Sequence, residues 1–324
     1  MPLLGEKMPD DLVSIVIPTF NKGRLVEATL NSVLRQTYPF LEVLLIDNGS
    51  TDDTRKKIDS FLLLHPGLFR VIDLKENLGP SNARNVGILE AKGEYIFLLD
   101  GDDLLIPGKI EKQVRYMNEN PSIGLSLTPY LIYSPGRRFS VRLVSELDPR
   151  KLVRGWIGMS YFGGLVESTG CIRRSYLDPA LLFDLTLMGS EGLDFTIKWL
   201  ERFPVGVLEE PLTIYRISPS QLHHDVAAIS ENVTRVTNKY ISLPKERVKL
   251  LGQQAAFFRL DNIRFKPKFS VLLFLFFSIV TFNSLNIRMV WWIVSRNIRA
   301  IINGVRYKRA VDRQLDAVEI EGTL

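Results

Sequence analysis

The first hundred residues alternate short β-branched runs with amphipathic stretches, and polar, chemistry-bearing residues fall where the runs stop. Val13-Ser-Ile-Val-Ile-Pro18 reads as a buried strand. Arg24 to Gln36 places Leu25, Ala28, Leu30, Val33 and Leu34 near one side of a helix. Glu42 to Asp47 is a second strand, and Gly49-Ser-Thr-Asp-Asp53 is a turn with capping residues that leads into a helix ending at Leu64. Phe69 to Asp73 is a third strand. Gly79-Pro80 then opens a helix, Gly93 closes it, and Glu94 to Asp100 is a fourth strand. Strands alternating with helices predict an α/β fold with a mainly parallel, Rossmann-like sheet flanked by helices and joined by right-handed crossovers.

Residues 101–224 are less regular. Helices are expected over Lys109–Asn118 and Glu191–Arg202, and a glycine-rich loop over Gly155–Gly170. A polar loop follows at Ser218–His224, and the pattern is helical from Asp225 onward. The single cysteine, Cys171, excludes an internal disulfide and Cys-based zinc sites, which points to a reducing compartment. The first eleven residues carry no apolar run of the secretory kind, so a cytoplasmic location is expected.

In an open parallel sheet, ligands bind outside the carboxyl ends of the strands. Those ends here read Pro18-Thr-Phe-Asn21, Asp47-Asn-Gly-Ser50 and Asp100-Gly-Asp-Asp103. Three carboxylates within four residues repel one another unless a cation sits among them. In extended backbone Asp100 and Asp102 face the same side. The pattern suits Mg²⁺ or Mn²⁺, which leave coordination positions open for phosphates. The alternatives are a solvated acidic turn, and for Asp47 ordinary turn chemistry.

Read in order, IVIPTFN, EVLLIDNGSTDDT, NLGPSNARNVG and GEYIFLLDGDD resemble the family-2 glycosyltransferases with a GT-A fold. The resemblance implies a GT-A domain over 1–224, its nucleotide-binding part about 11–103 and its acceptor part about 104–224. It implies a metal-dependent, inverting transfer of sugar from a nucleotide diphosphate donor, a UDP-sugar by first choice, to a glycan or lipid-linked acceptor. By the same resemblance Pro18, Thr19 and Phe20 line the base pocket and Asp47 contacts the base or ribose. Arg84 lies beside the nucleotide and the acidic motif, and Asp100 and Asp102 are its two acids, with Asp102 ligating the metal. No Walker A or G-x-G-x-x-G loop is present to hold a diphosphate by backbone donors, so cations must do so. A sugar nucleotidyltransferase and a non-catalytic nucleotide-sugar-binding homologue are the rival readings.

Inverting transfer needs a base for the acceptor hydroxyl. The family carries it at the start of a helix, which here begins Glu191-Gly-Leu-Asp194. Asp194 takes the usual aspartate position, with Leu193 where the glutamate stands. Glu191, three residues earlier, is the competing base, and an i,i+4 pair with Lys198 is the alternative for Asp194. Tyr215-Arg216, His223 and His224 resemble the block that closes over the donor. Trp156, Tyr161, Gly163 and Gly164 offer an acceptor surface or ordinary packing.

Asn262–Val311 contains no Asp or Glu and nine basic residues, against a net charge of +5 for the whole chain. The remainder is therefore net acidic, which argues against a nucleic-acid partner and for a basic region meeting an anionic membrane surface. Within it, Phe269–Ile287 is uncharged and Trp291-Trp292 follows. Residues 225–324 thus read as a helical, basic extension, peripheral at the inner face of the cell membrane, with a packed hairpin and a membrane span as the other dispositions.

Overall fold

The computed structural model describes residues 12–133, 140–142, 144, 167–187, 191–217, 235–236 and 238–240. The expected extension over 225–324, its apolar segment, His223, His224 and the Trp156–Gly164 stretch lie almost wholly outside these. No helix among the described residues is long and apolar enough to cross a membrane.

Strand β1 (Val13–Thr19) is flanked by β2 (Leu41–Asp47) on one side, with β3 (Phe69–Asp73) beyond it, and by β4 (Tyr95–Leu98) on the other. All these pairings are parallel. The period of two along β1 divides the interior into two layers. Val13, Ile15 and Ile17 meet Val26, Leu30 and Val33 of helix α1 (Val26–Leu34), Ile58 of α2 (Thr54–Leu64) and Ile110 and Val114 of α4 (Lys109–Glu119). Val16 faces the other way, into a layer that holds Ala83 and Ile88 of α3 (Pro80–Glu90) and Phe195 and Trp199 of α5 (Glu191–Arg202). The helices therefore cover both faces of a sheet whose central strands are mostly hydrophobic.

Helix α3 comes very near the sheet at Gly87. A Cβ there would lie 2.2 Å from Val16 Cγ1 and 3.2 Å from Ile46 Cγ1. This close approach fixes the depth at which α3 lies, and hence the height of Arg84 one turn earlier.

The sheet continues past β4 through β9 (Cys171–Arg173), β6 (Leu125–Leu127) and β10 (Val205–Val207). β9 runs antiparallel to both of its neighbours. A second sheet has the order β5 (Leu104–Leu105), β11 (Thr213–Arg216), β7 (Tyr130–Tyr133) and β8 (Ser140–Arg142). The acidic residues 100–103 are the link between the last strand of the parallel unit and the first strand of this second sheet. They are held from both sides.

Two local expectations change. Gly93 does not cap α3, which ends at Glu90 with Ala91 already extended. Gly93 serves a close approach instead, because a Cβ there would meet Leu12 O at 2.5 Å and Ser14 N at 2.6 Å. The acidic stretch is a turn and not extended backbone: Asp103 N–H donates to Asp100 O at 2.9 Å. β4 consequently stops at Leu98.

Gly87→Val is expected to destabilise the protein by about 1–3 kcal/mol through overpacking against β1, roughly 2–10 °C in Tm. Thermal melts of the two proteins check this. An unchanged Tm would mean that α3 rides freely over the sheet.

Candidate active site

The loops after β1 and β2 are tied to each other by side chains from the sequence motifs. Asn21, at φ 51°, accepts from Thr51 N at 2.8 Å and from Asp52 N at 3.3 Å through Oδ1, and its own N–H donates to Ser50 Oγ at 3.1 Å. Lys22 N donates to Thr54 Oγ1 at 2.7 Å, and Gly23 N to Asp52 Oδ2 at 3.0 Å. Asn48 reaches the next loop. Its Nδ2 donates to Asn77 Oδ1 at 2.9 Å and its Oδ1 accepts from Leu78 N at 3.0 Å. Gly49, at φ +75°, lets this turn lie against Glu76, whose Cα would be 2.7 Å from a Cβ.

Among the residues expected to hold a nucleotide, Phe20 stands 37% exposed at the end of β1, a free aromatic face. Thr19 is buried, and its hydroxyl donates to Ile46 O at 3.3 Å, so it couples two strand ends and does not present its side chain outward. Asp47 is buried and accepts from Ser50 N at 3.1 Å. Pro18 is half-buried beside the acidic turn, where a Cβ on Gly101 would come within 3.1 Å of its carbonyl.

The acidic turn is a knot of carboxyls and buried cations. Arg84 Nη2 donates to Asp100 Oδ1 at 2.7 Å. Its Nη1 lies 3.4 Å from Glu191 Oε1 and 3.9 Å from Glu167 Oε1, and its guanidinium carbon sits 5.4 Å from the centre of the Phe183 ring. Burial works against this charge, but Asp100, Glu167 and Glu191 outweigh it and hold the guanidinium firmly protonated. Beneath the turn, Arg216 donates through Nε to the Asp102 carbonyl and through Nη2 to Thr29 Oγ1 at 2.8 Å. Asp103 is fully buried, accepting from Ser168 Oγ at 2.6 Å and from Arg216 N at 3.1 Å. Burial, then Asp102 and Asp100, push its carboxyl well above the ordinary carboxylate range. Ser168 also accepts from Asp100 N at 2.9 Å, so one hydroxyl bridges both ends of the turn.

Asp102 points elsewhere. Its Oδ2 accepts from Lys22 Nζ at 2.5 Å. Asp100 and Asp102 thus meet different cations, Arg84 and Lys22. Among the described residues no three His, Cys, Asp or Glu side chains converge on one point as a closed metal cage. This donor set fits Mg²⁺ or Mn²⁺ nonetheless, because such ions are held by one or two carboxylates and complete their shell with water and phosphate. The ammonium already resting on Asp102 shows that the position attracts a cation.

Helix α5 brings Glu191 to this knot and turns Asp194 away from it. Glu191 is buried, with Oε1 toward Arg84, and its Oε2 has no hydrogen-bond partner among the described residues. Asp194 is fully buried. It forms the i,i+4 pair with Lys198 at 2.9 Å and accepts from Lys239 Nζ at 2.7 Å and Tyr240 O–H at 2.8 Å. Three participants carry no role from sequence, Lys22, Glu167 and Ser168, and Asp103 reads there only as one of three crowded carboxylates. Lys22 and Asp103 adjoin motif residues, but Glu167 and Ser168 carried no signal beyond polarity after a glycine-rich stretch.

Residues 14–164 match the family model described as Glycosyl transferase family 2. The putative teichuronic acid biosynthesis glycosyltransferase TuaG of Bacillus subtilis (strain 168) is 37% identical over 119 residues, 37% of this chain and 46% of TuaG. The UDP-Glc:alpha-D-GlcNAc-diphosphoundecaprenol beta-1,3-glucosyltransferase WfgD of Escherichia coli is 36% identical over 113 residues, 35% of this chain and 44% of WfgD. The chain spans less than half the length of either relative. The solved structure of mannosyltransferase PcManGT from Pyrobaculum calidifontis, in complex with GDP-Man and Mn²⁺, superposes with a TM-score of 0.57 at 17% identity, over 91% of this chain and 86% of that one. The likeness shows the fold, which is GT-A.

Glu167 gives this site a titration near neutrality. Burial raises its carboxyl; Arg84 opposes this, but Asp100 and Glu191 add to it, and it titrates at about 7 against an ordinary 4.5. The folded protein therefore holds this proton more tightly than the unfolded chain. The resulting stabilisation is complete below about pH 4.5 and lost as pH rises through about 7. Glu167→Gln is expected to flatten the fall in Tm between about pH 5 and 8. Parallel melting curves for the two proteins would show that Glu167 ionises normally.

Proposed function

We propose that this chain, which carries a family-2 glycosyltransferase domain over residues 14–164, moves a sugar with inversion from a nucleotide diphosphate donor, a UDP-sugar, to a hydroxyl of a glycan or lipid-linked acceptor. The observation that carries the proposal is the acidic turn. It stands at the point where the strand order reverses beside β1, with the free face of Phe20 on one side and a buried arginine on the other.

In this reading Phe20 stacks on the base, Pro18 and Thr19 shape the pocket floor, and Asp47 accepts from base or ribose. Asp102, with Asp100 beside it, holds Mg²⁺ or Mn²⁺. When bound, that ion supplies Lewis-acid stabilisation of the departing diphosphate. Arg84 orients Asp100 through their 2.7 Å pair, and places a fixed positive charge next to the leaving group.

The base is drawn from the pair on α5, and the geometry favours Glu191 over Asp194. Glu191 Oε2 is buried next to Arg84 with no hydrogen-bond partner or ion pair among the described residues, whereas the corresponding Asp194 Oδ2 lies 2.9 Å from Lys198 Nζ. Asp194 is committed to Lys198, Lys239 and Tyr240. The acceptor hydroxyl gives its proton to the carboxylate as its oxygen forms the new bond to the anomeric carbon and the bond to the diphosphate breaks. The relative WfgD, whose name specifies a diphosphoundecaprenol acceptor, and the basic stretch 262–311 support a lipid-linked acceptor. They also support a cytoplasmic protein, peripheral at the inner membrane face.

Asp102→Asn is expected to abolish Mn²⁺-dependent UDP binding in calorimetry, and with it transfer, while circular dichroism is unchanged. Full activity of this variant in a chelator would overturn the metal assignment.

Glu191→Gln is expected to bind UDP normally and lose roughly 10²–10⁴-fold in turnover. Asp194→Asn is expected to turn over within a few-fold of the parent but lose stability by about 1–3 kcal/mol, since its charge-assisted hydrogen bonds to partly exposed lysines are weakened. Single-turnover assays and melts of both variants decide; the opposite pattern would make Asp194 the base.

A further inference from the structure

The ammonium of Lys22 rests on a carboxylate oxygen of Asp102, the residue read above as the metal ligand. The contact is 2.5 Å, between side chains that are 19% and 8% exposed, and it spans the loop after β1 and the turn after β4. A metal ion ligated by Asp102 lies roughly 2 Å from its carboxylate oxygen, so an ammonium held 2.5 Å from Oδ2 competes with it for the same carboxylate charge. Like charges at that separation, screened from water, repel strongly.

The backbone of Lys22 cannot move to relieve this. Its N–H donates to Thr54 Oγ1 at 2.7 Å, and its carbonyl accepts from Leu25 N and Val26 N, both at 2.8 Å. Only the four-carbon stem is free to swing. From a Cα tied beside the acidic turn, a displaced ammonium stays within a side chain's reach of Asp102 and so of any anion bound there.

We infer that Lys22 couples metal binding to donor binding, by filling the cation seat on Asp102 until a diphosphate arrives to take the ammonium over. The inference rests on the metal reading of Asp102 given above. It makes a metal ion without nucleotide a poor ligand, because entry evicts the ammonium into water. Metal together with diphosphate becomes a good one, because the evicted charge finds an anionic partner. The coupling is reciprocal, so Mn²⁺ must raise UDP affinity by the same factor by which UDP raises Mn²⁺ affinity.

The test measures Mn²⁺ affinity by electron paramagnetic resonance, without nucleotide and with saturating UDP, on the full chain and on Lys22→Met, Lys22→Arg and Asp102→Asn. Lys22→Met is expected to bind Mn²⁺ alone about tenfold more tightly than the parent, and the enhancement produced by UDP is expected to shrink. Lys22→Arg, which keeps the charge, is expected to stay near the parent. Lys22→Gln provides the same comparison if the methionine variant does not fold. Should Asp102→Asn lose Mn²⁺ while Lys22→Met binds Mn²⁺ no more tightly than the parent, the Lys22 inference falls and the metal reading stands. If Asp102→Asn and the parent bind Mn²⁺ alike, or neither binds it, the metal reading falls and takes the inference with it.

Discussion

Carboxylates crowd the end of β4, and the surrounding structure is organised around keeping them together. Asp100, Asp102, Asp103, Glu167 and Glu191 come from three separate segments. Arg84 from α3, Arg216 from β11 and Lys22 from the β1 loop meet them. A buried guanidinium or carboxylate without its partner is strongly destabilising. The position of α3 above the sheet, the entry of α5 and the pairing of β5 with β11 therefore depend on one another. Two protonation states relieve the remaining repulsion: Asp103 and Glu167 both hold protons well above the ordinary carboxylate range. Arg216 works mainly through the backbone, gripping the Asp102 carbonyl from the protein side. That grip helps to set the shape of the turn.

The site divides into parts that are fixed and parts that can exchange. Backbone positions are secured by neutral side-chain hydrogen bonds from Asn21, Asn48, Thr29 and Ser168, which do not respond to a change of charge nearby. The ion pairs are laid over this frame. A frame already in place costs little reorganisation when charge develops on a leaving group. Exchangeable pairs allow a ligand's charges to be accommodated without moving a strand.

The parallel unit was legible because β1, β2 and β4 are largely buried on both faces and the flanking helices turn apolar residues toward them, so local pattern and tertiary role agree. The second sheet was not. Leu104-Leu105, Tyr130–Tyr133 and Thr213–Arg216 are two to four residues long, too short for a period to declare itself, and they pair across large sequence separations. β9 was hidden for another reason. It enters the middle of a sheet antiparallel, from a region whose glycines read as loop. The strand-end residues Asp47, Asp100 and Asp102 could be found because topology puts ligands there. Glu167 could not, since its place beside Arg84 is created only when its 3₁₀ turn packs against β4.

Helix geometry sets the limit on what spacing alone could say about the base. Residues three apart on an α-helix are separated by about 300° of rotation, or 60° measured the short way, which is why Glu191 and Asp194 looked interchangeable from sequence. At the first turn of a helix that meets the acidic turn end-on, 60° is decisive. It carries Glu191 to Arg84 and leaves Asp194 facing Lys198, one turn on, together with Lys239 and Tyr240. Both carboxylates are buried in cationic company, yet only Glu191 reaches Arg84 and the acidic turn. Burial and charge pairing do not tell the two acids apart here; direction relative to the acidic turn does.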